Sequence, residues 1–197
     1  MSQLDLFTTS AARPDGADSN RAQPRGDSAV FSPDGVYRYV LERDLGGDRL
    51  VVLVGCNPSV ANAEENDNTI SKEVGFVTRW GCGRLVKVNA FAFVETKPKL
   101  MRAAAKAGTD IVGPENDDYI RRAISRVLLG DGLLVLACGN DVPGKRLLEI
   151  EHLVRFSGVT PMCLGRNGKD HRGAPKHTLY LPYSTPLVPY ELGVLAA

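Results

Sequence analysis

Charge of one sign is what this chain most plainly lacks. Lys and Arg number 24 against 23 Asp and Glu in 197 residues, a formal net charge of +1. No global excess points to a nucleic acid or an acidic ligand, so any such surface has to be a local patch. Cysteine is scarce too. Cys56, Cys82, Cys138 and Cys163 are far apart and form no CxxC pair. That excludes the disulfide framework of a small secreted domain and favours reduced thiols in a cytoplasmic protein. Each thiol is expected to act as a small buried hydrophobe. A four-thiolate cluster is the alternative, because three of the four fall at or near predicted strand ends. Long apolar runs are also missing. Nothing approaches the ~18–20 residues a membrane-spanning helix needs, and the first residues lack a basic-then-apolar signal pattern. The expectation is a cytoplasmic monomer without metal or cofactor.

What is present suits one folded domain behind a tail. Hydrophobic residues make up 43% and charged residues 24%, ordinary for a globular protein whose core needs no staples. Residues 8–29 are rich in Ala, Asp, Arg, Gly, Ser and Pro without apolar periodicity, which predicts disorder. The domain is therefore placed at 30–197, with the tail at 1–29. Val36 to Leu45 and Arg49 to Val54 read as a hairpin closed by Gly46-Gly47-Asp48. The run RLVVLVG suits a strand buried on both faces. Beyond it the pattern alternates. Helices are predicted over 69–80, 99–107, 115–129 and 144–156, and strands over 84–89, 132–138, 160–164 and 177–181. Such alternation predicts an α/β fold, a three-layer α/β/α sandwich around a mainly parallel sheet. Ligands in such sheets sit beyond the carboxyl ends of the strands, so the polar residues just after each strand are the ones to weigh.

Four strand ends carry such residues: Gly55-Cys56-Asn57-Pro58-Ser59, Asn89 with Phe91 and Phe93 behind it, Gly139-Asn140-Asp141, and Lys176-His177-Thr178-Leu179-Tyr180-Leu181-Pro182. Each has a plain structural reading, as a cap, a satisfied strand-end amide or a hydrogen-bonded His. Taken in order, GCNPS, the strand-ending Asn, LLVLACGN and the final Lys-His resemble the uracil-DNA glycosylase superfamily. The first motif is nearest the mismatch-specific and thymine glycosylase version. Two positions depart from that pattern: Thr178 replaces the Pro that usually follows the final His, and Ser59 replaces Gly or Tyr. From about Leu50 to Pro189 the chain also resembles an uncharacterised bacterial and phage domain family with NPS, D-x-T, GPEND and K-H-x-L-Y-L elements.

The resemblance implies excision of uracil or a related pyrimidine from DNA by hydrolysis of the N-glycosidic bond, as in base excision repair. A glycosylase flips the nucleotide and reads its Watson–Crick edge in a pocket. Asn89 would read that edge, since an amide offers a donor and an acceptor together. His177 would stabilise the charge that grows on the departing base. Asn57 would hold the water in line. Asp67 is the acid/base candidate, with helix N-capping as its structural alternative. Cys56 and Ser59 are placed at the pocket wall, and Phe76, Trp80 and Phe91 are the aromatics considered for stacking on the base.

The stretch 166–177 holds Arg166, Lys169, His171, Arg172, Lys176 and His177 against one acid, Asp170, among glycines. A basic loop of this kind suits phosphate contacts, and Tyr180 and Leu181 are placed as a wedge for the gap left by the flipped base. The tail opens with Gln3-Leu4-Asp5-Leu6-Phe7, which resembles the pentapeptide with which bacterial replication and repair proteins bind the DNA sliding clamp. A leash behind it would let the domain search near the clamp.

Two rival readings stand beside the glycosylase. Gly139-Asn140-Asp141-Val142-Pro143-Gly144-Lys145 fits the spacing G-x-x-x-x-G-K, but Arg146 stands where a P-loop needs Ser or Thr. The other rival is a non-catalytic DNA-binding module of phage or mobile-element type.

Overall fold

The computed structural model describes residues 26–59, 61–168 and 173–193. In chain order they form β1 (Ser28–Phe31), β2 (Arg38–Asp44), β3 (Leu50–Gly55), α1 (Asn68–Arg79), β4 (Arg84–Asn89), α2 (Pro98–Lys106), α3 (Asn116–Val127), β5 (Leu133–Leu136), α4 (Gly144–Ser157), β6 (Pro161–Cys163) and β7 (Val188–Pro189). The strands make one seven-stranded sheet in the order β1-β2-β4-β3-β5-β6-β7. The inner pairs β4–β3, β3–β5 and β5–β6 are parallel. The outer pairs β1–β2, β2–β4 and β6–β7 are antiparallel. The sheet is therefore mixed rather than mainly parallel. Its edges are short strands that the sequence pattern left unseen, because Ser28–Phe31 and Val188–Pro189 are too short to show a period.

The expected β2–β3 hairpin does not form, because β4 lies between the two strands. The physical reason lies in β3, which is buried throughout and so takes a central place with a parallel neighbour on each side. The Gly46-Gly47 corner, with φ of +79° and +132°, swings the chain across the start of β4 instead of closing a turn. There Leu45 N–H donates to the Gly83 carbonyl, and Gly83 N–H donates to the Arg49 carbonyl.

Alternate residues of the sheet feed two cores. On one face Val52, Val54, Val86, Val88, Leu134 and Leu136 pack with Met101 of α2, Ile120 and Ile124 of α3, and Ile150 and Val154 of α4. On the other, Val51, Leu53, Leu85 and Val135 pack with Val77 of α1. Helices thus cover both faces of the sheet. The helix α1 carries β3 to β4 on one side of β3, whereas the later crossovers lead to β5 and β6 on the other side. This change of direction opens a crevice at the carboxyl ends of the central strands. Among the described residues no helix is long and apolar enough to cross a membrane.

Candidate functional site

A cavity of about 570 Å³ occupies that crevice. Asn57 follows β3, Asn89 ends β4, Gly139 and Asn140 follow β5, and His177 enters from the segment after β6; all line this one hollow. Cys56, Ser59, Asp67, Lys176, Tyr180 and Leu181 line it as well.

Asn57 is oriented by its own amide nitrogen. Nδ2 donates to the carbonyls of Pro58, at 3.0 Å, and of Glu95, which leaves Oδ1 as an acceptor. Asn89 closes β4 beside Gly55. It is buried, and its Oδ1 has no hydrogen-bond partner. An orphaned buried acceptor is costly unless a ligand or water supplies a donor.

His177 is half-buried at the N-cap of a single 3₁₀ turn, Thr178–Tyr180. That turn replaces the strand predicted over 177–181: His177 Nδ1 accepts from Leu179 N–H at 3.2 Å, which curls the chain there. The same bond assigns the neutral tautomer that carries its proton on Nε2. Burial, and then the nearby Lys87 charge, hold the imidazole below the ordinary histidine range. Gly139 has φ +71°, and a Cβ there would stand 3.2 Å from His177 Cβ, so a glycine lets this segment lie against the β5 exit.

Asp67 serves as the N-cap of α1. Its Oδ1 accepts from Ile70 N–H at 2.8 Å, while Oδ2 is buried without a partner. Capping and cavity lining are thus both properties of this carboxylate.

Behind the lining is a charged cluster that sequence reasoning missed. Glu73, on the buried face of α1, is 0% exposed, and Lys87, in mid-β4, is 3% exposed; Lys87 Nζ donates to Glu73 Oε1 at 2.6 Å. The same oxygen accepts from Thr178 Oγ1 at 3.1 Å. One carboxylate oxygen therefore ties α1, β4 and the His177 segment together. Arg38 is also buried and donates from Nη1 to the Ala61 carbonyl. Burial lowers its pKa to about 10, against the opposing pull of Asp67 and Glu73. Arg38 and Lys87 both line the cavity. The available signal was a Lys inside the apolar run RLVKVN and a Glu at a core position of an amphipathic helix, since such charges are rarely buried unless paired.

The other predicted residues fall in several places. Phe76 does not reach the cavity: it is 0% exposed and packs on Trp80 and Tyr183, with ring centroids 5.5 and 5.0 Å away. Phe91 lies in the core beneath α3 and α4. Neither is placed to stack on a base in the hollow, because both fill the interior. Tyr180, 86% exposed at the rim, is the aromatic the cavity does present. Burial drives the Cys56 and Cys138 thiols up to about 12, so both are protonated wall groups rather than nucleophiles. Among the described residues no group of three or more His, Cys, Asp or Glu is poised to hold a metal ion.

Arg166 is engaged within the fold: Nε donates to the Gly173 carbonyl, Nη1 to the Glu191 carbonyl, and its guanidinium lies 4.5 Å from the Tyr190 ring centroid. Arg146, at the position that would be Ser or Thr in a P-loop, is buried. It pairs with Asp117 at 2.5 Å and Glu149 at 3.0 Å, and its Nε donates to the Ala90 carbonyl. Lys169, Arg172 and the peptide Gln3–Phe7 lie outside the described residues.

Comparison with curated proteins and with solved structures returns no match. A family model described as protein of unknown function (DUF1643) matches residues 38–179. That span begins at Arg38 in β2 and ends at Leu179 beside His177, and so takes in all of the cavity lining except Tyr180 and Leu181. The chain belongs to this family.

Proposed function

We propose that this chain is a DNA glycosylase that draws a flipped pyrimidine nucleotide into the cavity and hydrolyses its N-glycosidic bond. In this reading the mixed sheet and its helices form a three-layer α/β/α sandwich of the uracil-DNA glycosylase kind. The observation that carries the reading is the convergence of Asn57, Asn89 and His177 on one hollow. At about 570 Å³ the hollow is of the size that holds small ligands.

The chemistry follows from the free atoms. The C1′–N1 bond breaks, and its electron pair leaves with the base. His177 Nε2–H donates to a base carbonyl oxygen that gains negative charge. Water, held by Asn57 Oδ1, bonds to C1′ and gives its proton to Asp67 Oδ2. That proton finally returns to the base nitrogen, so base and abasic sugar leave as neutral products. Lys176 and Tyr180 at the rim suit the flanking backbone and the gap in the stack. The sliding clamp, read from Gln3–Phe7, is the proposed protein partner.

The test is incubation of the purified protein with uracil-containing single- and double-stranded oligonucleotides, followed by alkali. Strand breaks at uracil are expected. Asn57→Ala and His177→Ala should each lower the rate about 100-fold, with the far-ultraviolet dichroism and melting profile of the parent. Full activity in both variants overturns the site assignment. Retention of DNA without cleavage by the parent protein favours a non-catalytic binding module.

A further inference from the structure

We propose that Lys87 is the second electrophile of this site, an ammonium that stands beside Asn89 and binds the keto oxygen on which charge grows as the base leaves. This inference rests on the glycosylase reading and adds a residue to it.

Lys87 and Asn89 are two apart in β4, so they share the face that packs toward α1. Earlier on that face Leu85 is apolar and joins the α1-side core. At the carboxyl end the same face becomes an ammonium and an amide. Both side chains reach toward the same place beside β3: a Cβ on Gly55 would lie 2.3 Å from Lys87 Nζ and 2.8 Å from Asn89 Oδ1. Only a glycine leaves room for the two polar atoms to stand next to each other there.

Each of these atoms has capacity left. Asn89 Oδ1 is an acceptor without a partner, on a side chain 2% exposed that lines the cavity. Lys87 spends one of its three N–H groups on Glu73, which fixes the ammonium in place. A donor-only cation beside a lone acceptor matches a carbonyl oxygen next to an N–H. The cation also favours charge that develops on that oxygen. As the C1′–N1 bond breaks and its electron pair moves onto the base, the keto oxygen becomes anionic, and a preorganised ammonium binds it more strongly than the neutral carbonyl.

The decisive experiment varies the leaving group. Lys87→Gln keeps a donor for Glu73 but removes the charge. Its cleavage rate should fall about 100-fold on uracil and less than about 10-fold on 5-fluorouracil, whose anion needs less help. Equal losses on both bases would mean that Lys87 acts only in structure, and would overturn this inference while leaving the glycosylase reading intact. A parent protein that cleaves neither base overturns both. The unaltered protein provides a second readout that does not depend on how the variant folds. At a mildly alkaline pH, where free 5-fluorouracil is largely ionised and uracil is not, 5-fluorouracil should compete with substrate about tenfold more tightly. Equal competition by the two free bases would again overturn the proposal.

Discussion

His177 shows how a single side chain sets the pH behaviour of the site. Its Nδ1 accepts a backbone N–H, an arrangement available only to the neutral ring. Burial and the Lys87 charge depress its pKa, so the unfolded chain binds a proton at a pH where the folded chain does not. Stability should therefore be full above the ordinary histidine value of about 6.5 and should fall as the pH drops below it toward the depressed folded value. Thermal melting between neutral and mildly acidic pH should show this slope in the parent protein. His177→Gln should flatten it. An unchanged slope would locate the titration elsewhere. Asn57 and Asn89 were legible as cavity-lining candidates because each is a polar residue at the end of an apolar strand, whereas His177 was singled out by the resemblance of its Lys-His segment. Lys87 and Glu73 each left a local mark, a charge at an apolar position, but which partner each meets, and that Arg38 joins them at the cavity, depends on residues distant in sequence.

At the level of elements, the helix α1, the strand β4 and the His177 segment meet on the Glu73 carboxylate. Replacing Glu73 with Leu would leave Lys87 as an uncompensated buried charge and strand Thr178. A loss of about 3–5 kcal/mol is expected in denaturant titration. The β2–β3 corner carries a second constraint. A Cβ on Gly83 would meet the Gly46 carbonyl oxygen and Gly47 Cα, each at 2.5 Å, and these are backbone atoms that no rotamer change can move. Gly83→Ala should therefore cost about 1–3 kcal/mol and leave the chemistry at the far end of the strands largely intact. Equal stability in that variant would show that the corner shifts freely. This corner is also where the hairpin expectation failed. The glycines correctly marked a reversal, but the rule for adjacent strands assumes that nothing comes between them. Here a later strand does: β3, buried throughout, lies between β4 and β5.

Across the whole molecule, the tail and the domain divide the proposed work. Gln3–Phe7 would bind the clamp, and the cavity would act on the base. Removing residues 1–7 should leave cleavage of a short oligonucleotide unchanged. It should also abolish binding to the purified clamp in a calorimetric titration. A truncated protein that still binds the clamp at parental affinity would refute the peptide's role.

The sequence alone determined the α/β class, the buried central strands, the helices to within a residue or two, and the strand-end positions that line the hollow. These follow from the period of apolar residues and from glycine and proline, which act over a few neighbours. Only the tertiary structure decided the strand order, the antiparallel edges, the 3₁₀ turn after His177, the inward course of Phe76 and Phe91, and the charged cluster under the cavity. Each of those depends on which distant residues share a space. Burial of a charge or an aromatic ring is a property of that shared space and not of the local chain.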